Sequence, residues 1–297
     1  MKKYIGIMTG ALLAVAGGGG QAMAAERLEV TYDFIWKGLL VSTAEARADL
    51  APESYDLAID FRMRGLAKLF ANGRSELRSN GSLVDGDILP REYISAGRWD
   101  GEDYMRTLRF APDGMLKEIE QDWPEKWEKK YPREEVPTEL RRGPDPASLA
   151  IALLRARITE AQAAEPFTIQ VFDGAMVFEW QVSCGPELVE ISDSRHSDFA
   201  GEAHECTIGG ELVAGKRILT EKEKKKLEKE REKRRRKAEK NGEDDDMPPK
   251  FWVMSKGDGG YLVPVRAEVQ TDMGRVHMYL KELAITDLED VPVVASR

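Results

Sequence analysis

The chain has 297 residues, 33% of them charged, and a formal charge of −9. That acidity argues against nucleic acid as a partner, because a phosphate backbone is held by surplus lysine and arginine. Two cysteines and three histidines leave little material for an imidazole or thiolate metal centre, and the length admits one large β domain or two small ones.

Residues 1–24 read as a secretory signal peptide: Lys2 and Lys3, an apolar run from Ile5 to Ala16, and the small-residue motif Ala22-Met23-Ala24. Cleavage is expected after Ala24 or Ala25. No cysteine follows to carry a lipoprotein anchor, and no later stretch reaches the roughly 20 apolar residues of a spanning helix. The expected product is a soluble periplasmic protein, residues 25–297, with no transmembrane segment. Loss of the two leader lysines takes its formal charge to −11.

From Leu28 the pattern Leu28, Val30, Tyr32, Phe34, Trp36 alternates with polar residues, the period of a strand with one buried face. Leu39 to Thr43 and Tyr55 to Met63 continue it as an antiparallel meander. The next segment, Gly65 to Gly73, is too apolar for an ordinary surface connection. Its Leu66, Leu69 and Phe70 are expected to pack as core or to cover a ligand groove. Strands resume at 74–81, 90–99, 104–110 and 115–120, with Ala111-Pro112-Asp113-Gly114 as a type I turn.

Residues 121–142 lack clean periodicity and read as a long connection. It leads to an apolar helix over 145–158, where Asp145 caps the first turn and Pro146 fits the N1 position. Leu, Ile and Ala lie on nearly every face of this helix, so it is expected to plug a curved sheet. The β pattern restarts at Phe167; Asp173-Gly174 predicts a type I′ hairpin into Met176 to Cys184. Further strands are expected at 188–192, 203–208, 211–219, 251–255, 261–271 and 275–283.

Export gives the two cysteines their meaning. In an oxidising compartment Cys184 and Cys206 are expected to form a disulfide between neighbouring strands, near the ends of one ladder. A charged insertion, 221–246, interrupts the second β half. It is expected to be solvated and helical at its base, supported by Glu and Lys at i,i+4 spacing. Within it, residues 222–240 carry twelve basic and five acidic side chains, a surface that fits an anionic partner.

The segment His196 to Cys206 gathers possible metal ligands but lacks a standard spacing, and a disulfide would remove Cys206 from it. No P-loop, Rossmann, zincin or nucleophile-elbow motif occurs. No cofactor, metal or catalytic residue is therefore assigned, and an enzyme is not expected.

Five short motifs in order carry a resemblance. They are Tyr32-Asp33-Phe34-Ile35-Trp36-Lys37-Gly38, Asp145-Pro146-Ala147-Ser148-Leu149 with Arg155, Val171-Phe172-Asp173-Gly174, Cys206, and Leu262-Val263-Pro264-Val265. Over residues 28–283 the chain resembles the bacterial domain-of-unknown-function family 3108. The resemblance implies an exported, mostly antiparallel β protein, similar in shape to half-barrel lipoprotein carriers that hold acyl chains between a curved sheet and a helix. It brings no catalytic residues.

The fold expected is all-β: curved antiparallel sheets or a half-barrel, in two halves around one central apolar helix. The function expected is non-enzymatic binding of a lipid, a lipoprotein acyl chain or another apolar ligand. The alternative is an envelope scaffold with a filled core, whose protein partner is met through the charged insertion.

Overall fold

The computed structural model describes residues 25–69, 73–99, 101–156, 158, 166–241, 248–271 and 274–290; residues 1–24 and the acidic tip of the insertion lie outside them. The first half holds β1 (Glu26–Trp36), β2 (Leu39–Leu50), β3 (Ser54–Met63), β4 (Gly73–Val84), β5 (Asp87–Trp99), β6 (Glu102–Phe110) and β7 (Leu116–Asp122). The second holds β8 (Phe167–Phe172), β9 (Val177–Ile191), β10 (Gly201–Ala214), β11 (Lys250–Lys256), β12 (Tyr261–Thr271) and β13 (Gly274–Asp287). Three α-helices are described: α1 (Glu125–Lys130), α2 (Ser148–Arg155) and α3 (Glu221–Asn241).

All thirteen strands form one antiparallel sheet in the order β7-β6-β5-β4-β3-β2-β1-β13-β12-β11-β10-β9-β8. Each strand pairs with its chain neighbour except where β1 zips to β13, from Glu26↔Asp287 to Trp36↔Val276, and joins the halves. The fold class is thus as expected, with one continuous sheet rather than two. It does not close: β7 and β8 are its two ends. The chain between them is tied to one end of each edge strand. Leu116 N–H donates to Arg141 O at 2.8 Å on the β7 side, and Phe172 N–H donates to Pro144 O at 2.9 Å on the β8 side.

Antiparallel order also sorts the connections. The β1–β2, β3–β4, β5–β6, β8–β9, β10–β11 and β12–β13 connections share one rim, as does the exit from β7. Two of the tightest turns have positive φ at both central residues, Lys37-Gly38 (49°, 79°) and Asp85-Gly86 (52°, 93°), the conformation that matches strand twist in a two-residue hairpin. The turn at Asp173-Gly174 differs from expectation. It is a four-residue loop closed by Asp173 N–H to Met176 O at 3.1 Å, with only Gly174 at positive φ, because the Asp173 carboxylate accepts from Ala175 and Met176 N–H and holds the chain open.

Several expected strands merge. The strands expected at 176–184 and 188–192 are the single strand β9, Val177–Ile191, which passes Gly185-Pro186-Glu187 as a bulge opposite Glu205. A bulge is where a sheet tolerates proline. Likewise the strands expected at 203–208 and 211–219 merge into β10, Gly201–Ala214, which stops short of residues 215–219. Cys184 and Cys206 lie directly opposite each other in the middle of the β9–β10 ladder, not at its end, and form the expected disulfide with Cα atoms 4.0 Å apart.

The central helix is shorter than its apolar run: α2 spans Ser148–Arg155, and Ala156 turns to extended backbone (ψ 151°). It packs against β3, β5 and β12. Its Ile151 belongs to one core cluster with Leu28, Leu57, Tyr93, Leu108, Val263 and Leu280, drawn from both halves of the sheet. Ser148, Ile151 and Ala152 are buried, while Leu149, Leu153 and Leu154 are half-covered. The helix therefore plugs the sheet on one side rather than being enclosed on most.

Asp145 anchors that plug and is fully buried. Its Oδ1 accepts from Ala147 and Ser148 N–H at 2.8 and 3.0 Å, and its Oδ2 from the Ser79 and Ser148 hydroxyls at 2.7 and 2.5 Å. Both serines spend their one proton on the carboxylate, so the Tyr55 hydroxyl, 2.8 Å from Ser148 Oγ, is the donor to that oxygen. Burial raises the Asp145 pKa, and the four hydrogen bonds oppose the rise. Asp145 and Arg155 form no ion pair.

The charged insertion is helical over Glu221–Asn241, as expected of its base. Thr220 and Glu223 close a capping box that the spacing encodes: Thr220 Oγ1 accepts Glu223 N–H, and Glu223 Oε2 accepts Thr220 N–H at 2.9 Å. Ion pairs Lys224–Glu221 and Arg236–Glu232 run along the helix. T220A is expected to cost the helix about 1 kcal/mol. Hydrogen exchange should show it as faster exchange confined to the first turn of α3, with the sheet unchanged.

Candidate functional site

The inner face of the sheet changes character toward the rim. On β6 the same face reads Tyr104, Arg106, Leu108, Phe110: the last two are core, whereas the first two open into a pocket of about 760 Å³. That volume lies in the range of small-molecule sites. The pocket takes Trp99 from the end of β5, Gln121 from β7, Trp123 just beyond it, Trp127 from α1, and the backbone of the β8–β9 loop at Gly174. It thus sits where the two open ends of the sheet approach each other. Packing there is close: a Cβ added at Gly174 would lie 2.7 Å from Arg106 Cδ and 2.9 Å from Leu108 Cδ2.

Three rings make one wall. Tyr104, Trp123 and Trp127 stand 5.4, 5.9 and 5.6 Å apart pairwise, in tilted and edge-on geometries that aromatic quadrupoles favour. Each remains half-buried, so apolar ring surface faces the cavity. The Tyr104 hydroxyl donates to Ser75 Oγ at 2.7 Å, which fixes that ring.

Arg106 forms the floor and is 9% exposed. Its Nε donates to Gln121 Oε1 and its Nη1 to Asp173 O, each at 2.9 Å, and the guanidinium lies 4.5 Å from the Trp123 ring centre. Burial lowers its pKa, which the Asp173 charge opposes and the nearby Arg133 reinforces. A guanidinium nevertheless stays charged. The rim adds Lys130 and Arg133, and one carboxylate, Glu128, whose Oε1 is held by Gln121 Nε2 at 2.9 Å. Chemically the arrangement sets an aromatic, apolar wall beside cationic donors.

The residues expected to cover a groove lie elsewhere. Gly65–Leu69 forms a 3-10 helix beside β2, tied by Arg64 N–H to Val41 O at 2.8 Å. The side chains of Leu66 and Leu69, and Phe70 as a whole, lie outside the described residues. Two further recesses, of about 520 and 890 Å³, lie mainly along the middle strands of the sheet and carry many charged side chains, among them Arg62 and Glu45, paired at 2.7 Å. They read as solvated sheet surface.

In the histidine-rich segment, His196 rests on Tyr279 with ring centres 5.3 Å apart, and His204 Nδ1 lies 3.0 Å from Gly185 O. Cys206 is in the disulfide. No group of three or more metal-ligating side chains occurs among the described residues, and no described helix is long and apolar enough to cross a membrane.

No family model and no curated protein matches this chain. Among solved structures it is similar to a β-barrel-like protein of the domain of unknown function DUF1849 from Brucella abortus, at 12% identity and a TM-score of 0.42. The match covers 89% of this chain and 99% of that one.

Proposed function

We propose that this chain is an exported, non-enzymatic binding protein of the bacterial envelope, of the kind gathered in the domain-of-unknown-function family 3108. It takes a lipid or another ligand with an apolar body into the pocket at the open seam. The observation that carries the reading is the Tyr104–Trp123–Trp127 wall, half-exposed beside a buried arginine. Free aromatic surface of this kind at a concave, largely preformed site favours an apolar or amphipathic occupant. Export is supported by the leader sequence and by the disulfide, which persists in an oxidising compartment.

The test is titration of the mature chain with monolauroylglycerol, an uncharged amphiphile, followed by intrinsic tryptophan fluorescence. Saturable change is expected, and the W123A/W127A variant should bind about tenfold or more weakly, equivalent to about 1.4 kcal/mol. Native mass spectrometry of protein purified without detergent should show a co-purifying lipid mass. An empty monomer with no fluorescence response would overturn the reading in favour of the filled scaffold that meets its partner through the α3 arm.

A further inference from the structure

We infer that the ligand is anionic: its charged group is received at the Arg106–Lys130–Arg133 corner while its apolar part lies on Trp123 and Trp127, and the basic arm α3 collects it. This rests on the binding reading above and adds the sign of the ligand's charge.

The first observation is an imbalance. Arg106 is nine-tenths buried, yet its nearest carboxylate, Asp173, stands 4.0 Å away, and Asp173 Oδ1 is already engaged by Ala175 and Met176 N–H. A buried cation with so loose a counter-charge has lost its water without recovering the energy in a close pair. Lys130 and Arg133, both exposed on the same wall, form no ion pair among the described residues; Arg133 donates only to Gly215 O at 3.0 Å. Some arginines of this acidic chain are closely paired, as in Arg27–Asp49 at 2.6 Å and Arg109 with Glu92, Glu118 and Glu120, while Arg47–Asp56 and Arg64–Glu45 stand 3.9 and 4.0 Å apart. What sets the pocket apart is that three such cations converge on one cavity. A phosphate or carboxylate entering there would meet three cations against two carboxylates, Glu128, which Gln121 holds, and Asp173, which the N–H groups of its own loop hold.

The second observation is where α3 is mounted. Glu134 N–H donates to Lys216 O and Ile218 N–H to Pro132 O, each at 2.8 Å, so the chain leading into α3 is paired with the pocket wall itself. Arg217 stacks 4.7 Å over the pocket residue Tyr131 and pairs with Glu223 in the first turn of α3 at 2.8 Å. The helix thus leaves directly from the pocket, extends about 30 Å by its 21 residues, and carries twelve basic against five acidic side chains over 222–240. A positive arm at the mouth of a positive pocket raises the local concentration of anions and their association rate.

The experiment compares three amphiphiles with one tail, dodecyl phosphate, dodecylphosphocholine and dodecyltrimethylammonium, together with inorganic phosphate, on the mature chain by tryptophan fluorescence and stopped flow. Dodecyl phosphate should bind about tenfold or more tightly than dodecylphosphocholine, with the cation weakest. Raising NaCl from about 50 to about 500 mM contracts the screening length about threefold, and should slow association of dodecyl phosphate while leaving dodecylphosphocholine unchanged. R106M should abolish the preference but keep dodecylphosphocholine binding. Because Arg106 is buried, the exposed pair K130Q/R133Q provides an independent variant and should reduce the preference in a fully folded protein. Replacing 221–247 by a short Gly-Ser linker should lower the association rate for dodecyl phosphate and leave its dissociation rate. Binding of inorganic phosphate as tight as dodecyl phosphate would assign the site to a free anion; much weaker binding assigns it to a lipid headgroup. Equal affinity for all three head groups overturns the inference and leaves the binding reading standing, whereas no response to any amphiphile overturns both.

Discussion

D145A is expected to destabilise the protein by about 4 kcal/mol, a large part of the 5–15 kcal/mol that holds a typical domain. The substitution removes the single acceptor of two backbone N–H groups and two hydroxyls, all of them buried between α2, β3 and β4. Left unpaired, each of those donors costs the desolvation that the carboxylate now offsets. Asparagine keeps the shape and one acceptor oxygen, so D145N should lose only about 1 to 2 kcal/mol. The comparison also reads the ionisation of Asp145. Burial raises its pKa in the folded chain above the ordinary carboxylate value. Below that ordinary value both states hold the proton and stability is unaffected. As pH rises past it, the unfolded chain releases the proton while the native one keeps it, so Asp145 withdraws stability until pH passes the folded-state value. Asparagine does not titrate. The stability of D145N relative to wild type should therefore increase as pH is raised from about 3.9, and then level off. Urea denaturation across that range, with the disulfide intact, measures it. A difference that is flat with pH would mean that the hydrogen bonds hold the carboxylate at its ordinary pKa.

The β pattern was legible because a half-buried strand alternates with period two, and Leu28 to Trp36 shows that on its face. The start of α2 was legible for the same local reason: an Asp-Pro pair caps a first turn wherever it occurs. What local pattern could not give was continuity. Gly185-Pro186 looks like a break but is absorbed as a bulge, because β10 and the disulfide hold β9 on both sides of it. The end of α2 was likewise overrun, since apolar residues recur at Leu153, Ala156 and Ile158 while the chain is already leaving to pack on the smaller cluster around Phe251 and Leu262.

The pocket was hidden for a different reason. Trp123, Trp127 and Tyr131 stand in a stretch without periodicity, and three aromatics within nine residues of Lys and Glu were the one available signal. Their partners Tyr104 and Arg106 come from β6 and Gly174 from the far half of the chain. They meet because the sheet curves until β7 and β8 face each other, which no window of sequence contains. The capping box Thr220-Glu221-Lys222-Glu223, by contrast, was readable and marks where the arm begins.

Reducing the disulfide, or replacing it in C184A/C206A, is expected to cost about 3 kcal/mol. The two cysteines are 22 residues apart, and the connection between β9 and β10, residues 192–200, is an irregular loop that the crosslink keeps short in the unfolded chain as well. The bond therefore acts mainly by restricting the unfolded state. For a chain of this size each kcal/mol corresponds to about 2 to 4 °C, so Tm should fall by about 10 °C. The loss should not be uniform. β8, at the open end of the sheet, pairs only with β9 in the strand ladder, so the β8–β9–β10 end has few neighbours to hold it once the crosslink is gone. Hydrogen exchange on reduced protein is expected to rise there first, with β1 and β13 at the centre protected longest. Because the β8–β9 loop packs on Arg106 and closes one side of the pocket, that local opening should also weaken ligand binding at temperatures where the rest of the sheet is intact. An unchanged Tm on reduction would show that the β9–β10 ladder alone fixes this end, and binding would then be indifferent to redox state.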